Sequence, residues 1–167
     1  IYNGKTIACC KSKGKISKLE KNLSKRKNLN GSLGIGHTRW ATHGEPNNVN
    51  AHPQFSNSNK LCLVHNGIIE NYSTIKQKLV KEGFFFKSET DTEVLVNLIE
   101  YVKSKENVKL GEAVQIALNR VIGAYAIAVI DNDKPDEIVV AKLGSPLCIG
   151  VGNGEYFIGS DVTPFIE

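Results

Sequence analysis

Most residues able to do chemistry lie between positions 36 and 93 of this 167-residue chain. The segment 36–44 reads Gly-His-Thr-Arg-Trp-Ala-Thr-His-Gly, which places two histidines, an arginine and a tryptophan close together. Asn-Ala-His-Pro follows at 50–53, His-Asn-Gly at 65–67, and Ser-Glu-Thr-Asp-Thr-Glu at 88–93. Loops and strand ends are where a rigid scaffold presents reactive groups, so these four segments are the candidates for a functional site.

Four of these residues suit a free amino acid whose far end is an amide. The planar guanidinium of Arg39 can hold an α-carboxylate with two hydrogen bonds, and Asp91 can accept from an α-ammonium. An amide under attack develops negative charge on its oxygen, which calls for preorganised neutral donors. The side-chain amide of Asn66 and the main-chain N–H of Gly67 are such donors. The four residues together predict a zwitterion site beside an oxyanion hole.

Each of these residues also has a plain structural alternative. Asp91 could cap its helix, because Asp and Thr are common at helix starts. Arg39 could form a surface ion pair, Asn66 and Gly67 could form only a turn, and Trp40 could belong to the core. Only the combination of residues favours the functional interpretation.

Composition and charge exclude several classes of protein. Four histidines lie within 29 residues but match no helical metal-binding spacing, so we predict no metal and no cofactor. The cysteines at 9, 10, 62 and 148 form neither a disulfide framework nor a zinc pattern, which favours a reduced, cytoplasmic setting. The longest apolar run, at 123–130, is far shorter than the roughly 20 residues of a membrane helix. The basic segment 11–27 contains no aromatic residue to stack on a base, so neither a membrane nor a nucleic-acid partner is expected.

The elements that must position the site follow from the hydrophobic pattern. A capping-box sequence at 90–93 predicts a helix through about 103, and Asn-Gly at 66–67 predicts the end of a strand that begins at 61. Residues 39–60 are polar and rich in turn residues, as in a long functional loop. The other predicted elements are helices at 15–27, around 75–80 and at 110–121, and strands at 33–38, 124–130, 137–142, 147–151 and 155–159. Strands, then helices, then strands indicate an α+β fold.

At this point the motifs resemble a known family. The segments 36–44, 50–53, 64–71 and 88–94, with Gly-Ala-Tyr at 123–125, Gly-Ser-Pro-Leu at 144–147 and Gly-Ser-Asp at 159–161, resemble the glutaminase domain of the glucosamine-6-phosphate synthase family almost letter for letter. The resemblance implies a class II glutamine amidotransferase with the four-layer αββα sandwich of N-terminal-nucleophile hydrolases. It further implies that residues 1–167 form one incomplete domain, truncated at both ends and without the sugar-phosphate isomerase domain.

The resemblance also implies a role for each site residue. Arg39 binds the α-carboxylate of L-glutamine and Asp91 binds its α-ammonium, while Asn66 and Gly67 form the oxyanion hole. Three further roles, for four residues, are implied by the resemblance alone: pocket lining by Trp40 and Thr42, ammonia gating by Trp40, and shaping or support of the glutamine loop by His43 and His52. The implied partners are the C-terminal isomerase domain of the same chain and a second copy in a homodimer.

One departure from the family pattern concerns the nucleophile. The family uses an N-terminal cysteine followed by Gly-Ile, whose own α-amine acts as the base. Here residue 1 is Ile, no Cys-Gly-Ile occurs, and Cys9 and Cys10 are expected to be structural. We therefore expect no glutaminase activity from these 167 residues alone. Two alternatives stay open: a non-catalytic glutamine-binding module, and the glutaminase domain of a phosphoribosyl-pyrophosphate amidotransferase.

Overall fold

A four-stranded antiparallel sheet forms the centre of the computed structural model, which describes residues 1–40 and 44–166. Its strands, in spatial order, are β1 (Gln54–Phe55), β2 (Leu61–Ile69), β3 (Gly123–Asp131) and β4 (Lys134–Leu143). β2 and β3 pair along their whole length, from Leu61 opposite Asp131 to Ile69 opposite Gly123. Residues 125–131 of β3 are all buried, which explains the continuous apolar run in this part of the sequence.

Three helices cover one face of this sheet. They are α2 (Tyr72–Lys81), α3 (Asp91–Glu106) and α4 (Leu110–Leu118). α3 packs against α2, α4 and β2, and its residues from Asp91 to Ile99 are all buried. Alternate side chains of β2 and β3 enter the same apolar cluster, as the period of two in a strand requires. The N-terminus of α3 is therefore held in place by the main core.

The other face of the sheet carries a smaller apolar cluster. Cys62 and Ile130 lie on this face and pack with Ile7 from the N-terminal segment. An isolated bridge between Tyr2 and Ile7 closes a turn that contains Asn3 and Gly4. The helix α1 (Ile16–Leu23) buries none of its residues, and β5 (Cys148–Val151) pairs with β6 (Tyr156–Gly159) in a separate antiparallel hairpin. None of the helices in the described part of the chain has the length and apolar character needed to span a membrane.

Three predictions of secondary structure are wrong. The predicted strand at 33–38 is absent from the structure, where Leu33 alone forms a bridge, to Tyr2. β2 does not end at His65, because residues 66–69 continue to pair with β3. The helix predicted at 15–27 is shorter, since α1 ends at Leu23.

The predicted start of α3 is confirmed, with one difference in its capping. The Thr90 side chain accepts a hydrogen bond of 3.2 Å from the Glu93 N–H, as a capping box requires. The Glu93 carboxylate, however, accepts from the N–H groups of Lys87 and Ser88. It thereby holds the segment before the helix. Thr90 is the N-cap, so Asp91 is released from that role and occupies the first helical position.

Candidate functional site

One cavity of about 830 Å³ brings the predicted site residues together. Its walls come from residues 34–40, the middle of β2, the N-terminus of α3 and parts of β3 and the β5–β6 hairpin. Arg39, Asn66, Gly67 and Asp91 all line it. The predicted shared cleft therefore exists, while the role of each residue within it stays a prediction.

Asp91 supplies a buried negative charge to this cavity. The residue is only 3% exposed, and its two carboxylate oxygens accept from the N–H groups of Ile69 and Thr92, both at 2.9 Å. The positive end of the α3 dipole also stabilises a negative charge at this position. The Thr92 hydroxyl also donates to Asp91 Oδ1, at 3.5 Å. A carboxylate has about four lone-pair directions, so these three bonds still leave it able to accept from a ligand ammonium.

Arg39 supplies the positive charge from the loop side of the cavity. Its half-buried guanidinium donates to the main-chain oxygens of Gly44, at 3.0 Å, and of Glu45, at 3.5 Å. Burial lowers the pKa of Arg39, while the negative charge of Asp91 acts in the opposite direction. The electrostatic influence of Asp91 on Arg39 is consistent with two opposite charges that face a common space.

Asn66 and Gly67 lie side by side in β2, where the strand borders the cavity. The Asn66 side-chain oxygen accepts from His37 Nε2 at 2.8 Å, which leaves the Nδ2 donor as the group that Asn66 can offer to a ligand. Gly67 has φ of +127°, and a Cβ at this position would lie 2.0 Å from the main-chain oxygen of Ala124. Glycine is thus required here for β2 and β3 to stay paired.

A group of three histidines, of which His65 is buried and His37 and His52 are half-buried, connects the two ends of the site. His52 Nε2 and His65 Nδ1 both bond to the hydroxyl of Thr92, at 2.9 and 3.2 Å, and the His37 and His52 rings lie 4.3 Å apart. Burial, reinforced by the charges of His37, His65 and Arg39, lowers the pKa of His52 to about 2. Burial also lowers the pKa of His37. Both rings are therefore neutral at pH 7.

Four further predicted site residues remain. Trp40 borders the cavity with 88% of its surface exposed, which excludes the alternative of a core residue. Thr42 and His43 lie outside the described residues, so their predicted roles stay predictions. His52 lines the same cavity as Arg39 and Asp91. Within residues 1–40 and 44–166, no cluster of three or more His, Cys, Asp or Glu side chains could hold a metal ion.

The cysteines are not among the described residues that line this cavity, although three of them share a neighbouring cavity with His37, Arg39 and His52. Cys9, Cys10 and Cys62 line a second cavity of about 310 Å³, and no cysteine occurs among the described residues that line the first. Burial raises the pKa of both the Cys9 and the Cys62 thiols. A raised pKa keeps a thiol protonated and weakly nucleophilic, as expected for structural cysteines.

No role was predicted from the sequence for His37 or Asn50, although the structure bonds each to a residue of the motif-rich segments. His37 and Asn66 are bonded across 29 positions, and Asn50 and Glu89 across 39 positions. These pairs arise from tertiary structure, and no local spacing signals them. The one hint in the sequence is that His37 and Asn50 belong to the motif-rich segments 36–44 and 50–53.

Comparison with known proteins places this fold and site in a family. Residues 23–167 match the glutamine amidotransferase domain, so the chain belongs to that family. The chain is 59% identical over 167 residues to glutamine–fructose-6-phosphate aminotransferase [isomerizing] from Bacteroides thetaiotaomicron, and 50% identical over 170 residues to the same enzyme from Chlorobaculum tepidum. All of the chain is covered in both cases, but it spans only 27% and 28% of the lengths of these relatives.

Solved structures support the same assignment. The glutamine phosphoribosylpyrophosphate amidotransferase from B. subtilis, complexed with ADP and GMP, is 31% identical with a TM-score of 0.64, over 77% of this chain and 28% of that chain. A structure described as the allosteric regulatory enzyme of purine biosynthesis is 32% identical with a TM-score of 0.65, over the same shares. These neighbours are N-terminal-nucleophile amidotransferases, so the predicted α+β fold of that type is confirmed. The higher identity to the sugar aminotransferases favours them over the phosphoribosyl-pyrophosphate enzymes.

Proposed function

We propose that residues 1–167 form a single glutamine amidotransferase domain of a longer enzyme, in which it releases ammonia from L-glutamine. The observation that supports this most strongly is the arrangement of Arg39, Asp91, Asn66 and Gly67 around one cavity. Two opposite charges and a pair of neutral donors are what an α-amino acid with a side-chain amide requires.

In this proposal two residues bind the zwitterionic head of glutamine. Arg39 holds the α-carboxylate through its planar fork, and Asp91 accepts hydrogen bonds from the α-ammonium. Hydrogen bonds to charged groups contribute about 1.5–3 kcal/mol each, so the pair can supply most of the recognition energy. Because the α-carboxylate and the α-ammonium are both held, the side-chain amide of glutamine is directed along the cavity.

Two other residues act on the amide. When a nucleophile attacks the amide carbon, the oxygen becomes negative, and Asn66 Nδ2 and the Gly67 N–H stabilise that charge. His37 holds the Asn66 oxygen and so fixes which end of the amide faces the ligand. Collapse of the tetrahedral intermediate expels ammonia, and water then releases glutamate from the acyl intermediate. The family resemblance implies a cysteine thiol as the nucleophile, with its own α-amine as the base.

The relatives' names indicate the next step. We propose that the ammonia is transferred to fructose-6-phosphate in a C-terminal isomerase domain of the same chain, giving glucosamine-6-phosphate in a cytoplasmic homodimer. The exposed side chain of Trp40 at the cavity wall supports the predicted gating role. Pocket lining by Thr42 and support of the loop by His43 and His52 belong to the same proposal.

The test uses the full-length protein that carries this domain. Glutamate release from L-glutamine, and glucosamine-6-phosphate formation with fructose-6-phosphate, are measured for wild type and Asp91→Asn. We expect Asp91→Asn to raise the KM for glutamine about 100-fold, because a charge-assisted bond to the ammonium is lost. Asp136→Asn, an exposed carboxylate on β4, is the control and should match wild type.

Other outcomes have defined meanings. An Asp91→Asn enzyme with an unchanged KM contradicts the assignment of the ammonium site. Wild-type protein that binds glutamine in calorimetry but releases no glutamate is a non-catalytic glutamine-binding module. Glutamate release without glucosamine-6-phosphate formation leaves the glutaminase in place but assigns it a different acceptor.

A further inference from the structure

We propose that Asn50 is a positioning residue that sets the spacing between Arg39 and Asp91, and thereby the affinity of the site for an α-amino acid. This inference rests on the proposed function of the same cavity. Asn50 does not line the cavity itself. It acts through two chain segments, each of which holds one of the two charges.

The Asn50 side chain joins these segments directly. It is only 1% exposed, and Nδ2 donates to the main-chain oxygen of Glu45 and to Glu89 Oε2, both at 3.0 Å. Its Oδ1 accepts from the Glu89 N–H, also at 3.0 Å. A primary amide has two donor hydrogens, so both are used and the amide is held at each end.

Each end of the Asn50 amide lies next to one charge. The Glu45 oxygen that accepts from Asn50 is also an acceptor for the Arg39 guanidinium, which bonds to the neighbouring Gly44 oxygen as well. At the other end, Glu89 immediately precedes Thr90, the N-cap of the helix whose first residue is Asp91. A short path of bonds thus runs from the guanidinium through one amide to the start of α3.

The packing around Asn50 leaves little freedom in this connection. Gly44 has φ of +75°, and a Cβ there would lie 2.6 Å from Asn50 Nδ2 and 2.8 Å from Glu89 Cβ. The loop main chain is therefore seated directly against the amide. The Asn50 N–H donates to Asn47 Oδ1 at 2.7 Å, so the main chain that carries the side chain is also fixed.

The described part of the loop depends on such side-chain bonds, because none of it belongs to a sheet. In the described parts of the chain, no residue between 34 and 50 belongs to a strand. Without the Asn50 amide, the segment with Arg39 can move relative to α3. A zwitterion that must contact both charges then binds less tightly, because the site has to be ordered on binding. The Asn50 side chain bonds Glu45 and Glu89 and makes no bond to His37, so the bond between His37 and Asn66 is kept. KM should therefore rise much more than kcat falls.

The experiment compares full-length wild type with Asn50→Ala and Asn50→Asp in the glutaminase assay. Loss of two to three hydrogen bonds predicts a rise of about 10- to 30-fold in the KM for L-glutamine, with kcat within about threefold of wild type. Asn50→Asp keeps the acceptor for the Glu89 N–H but loses both donors and faces the Glu89 carboxylate. It should therefore raise KM at least as much as the alanine variant.

Asn57 provides a matched control in the same polar segment. Like that of Asn50, its side chain bonds across the chain at both ends, donating to the Phe85 oxygen at 2.8 Å and accepting from the Phe85 N–H at 3.0 Å. Asn57 does not line the cavity with Arg39 and Asp91. Asn57→Ala should leave KM within about twofold of wild type even where its Tm falls, because it removes structural bonds only. A KM for Asn50→Ala no higher than that of Asn57→Ala overturns the inference.

The design separates this inference from the proposed function. Wild type without glutamine turnover, or Asp91→Asn with an unchanged KM, defeats the proposed function. If wild type turns over glutamine and Asp91→Asn has the expected raised KM, an unchanged KM for Asn50→Ala defeats the inference alone. If Asn50→Ala does not fold, Glu89→Ala decides the question. It removes one acceptor of Asn50 and should raise KM about threefold, since it costs one hydrogen bond.

Discussion

The two charges in the cavity are held by different kinds of structure. Asp91 is buried at the start of α3, and one of its bonds comes from Ile69 of the central sheet. Arg39 is half-buried, and its bonds to Gly44 and Glu45 stay within the loop that carries it. The Asp91 side of the cavity is thus fixed by secondary structure and core packing, whereas the Arg39 side depends on side-chain bonds to a loop. Substitutions in the two regions should therefore differ in the size of their effects on kcat and KM.

The largest effect is expected where the scaffold is most rigid, at Asn66 on β2. Asn66→Ala removes an oxyanion donor and should lower kcat for glutamate release about 100-fold or more, with little change in KM. His37→Ala leaves the amide in place but unheld, so its loss in kcat should be smaller, about tenfold. Asn153→Ala, in the exposed turn between β5 and β6, is the control. A wild-type kcat for Asn66→Ala removes this residue from the oxyanion hole.

A smaller effect is expected on the loop side, from Arg39→Lys. Lysine keeps the positive charge but loses the planar fork, so KM for glutamine should rise about tenfold with kcat preserved. Arg120→Lys is the control and should leave KM unchanged, because Arg120 forms only an exposed ion pair with Glu106, at 4.0 Å. If Arg39→Lys lowers kcat instead, the loop contributes to the chemistry and the contrast between the two regions does not hold.

The smallest effect concerns stability, and it arises between the two regions at His52. Its pKa is about 2 in the folded protein, whereas an unfolded histidine titrates near 6.5. Neutral His52 therefore stabilises the fold fully above pH 6.5, and this contribution is lost progressively as the pH falls below 6.5. Between pH 7.5 and 5.5, the free energy of unfolding should fall by about 1 kcal/mol more in wild type than in His52→Gln. Urea unfolding at both pH values measures this, and equal losses in the two proteins contradict it.

The same contrast explains what the sequence could predict. The helix start at 90–91 depends on residues within a few positions of each other, and its capping pattern was sufficient to predict it. The end of β2 was predicted wrongly, because the pairing of residues 66–69 depends on β3, more than fifty positions away. The strand at 33–38 was predicted from its apolar residues, but only Leu33 finds a partner, in Tyr2.

The residues that share the cavity could be predicted from the sequence, but the bonds that support them could not. Arg39, Asp91, Asn66 and Gly67 were identified because their functional groups match an amino-acid ligand. The bonds that orient them, from His37 to Asn66 and from Asn50 to Glu89, join segments 29 and 39 positions apart. Such bonds form only when the chain is folded, and they cannot be predicted from residue type or spacing.

The neutral histidines beside Asn66 have a consequence for the leaving group. Ammonia is a base, and any acid that it meets at neutral pH converts it to ammonium, which is strongly hydrated and no longer nucleophilic. His37 and His52 have lowered pKa values and carry no proton that they can give up readily. If the proposed function is correct, ammonia released along that wall meets neutral imidazoles and keeps the uncharged form that can add to a carbonyl carbon.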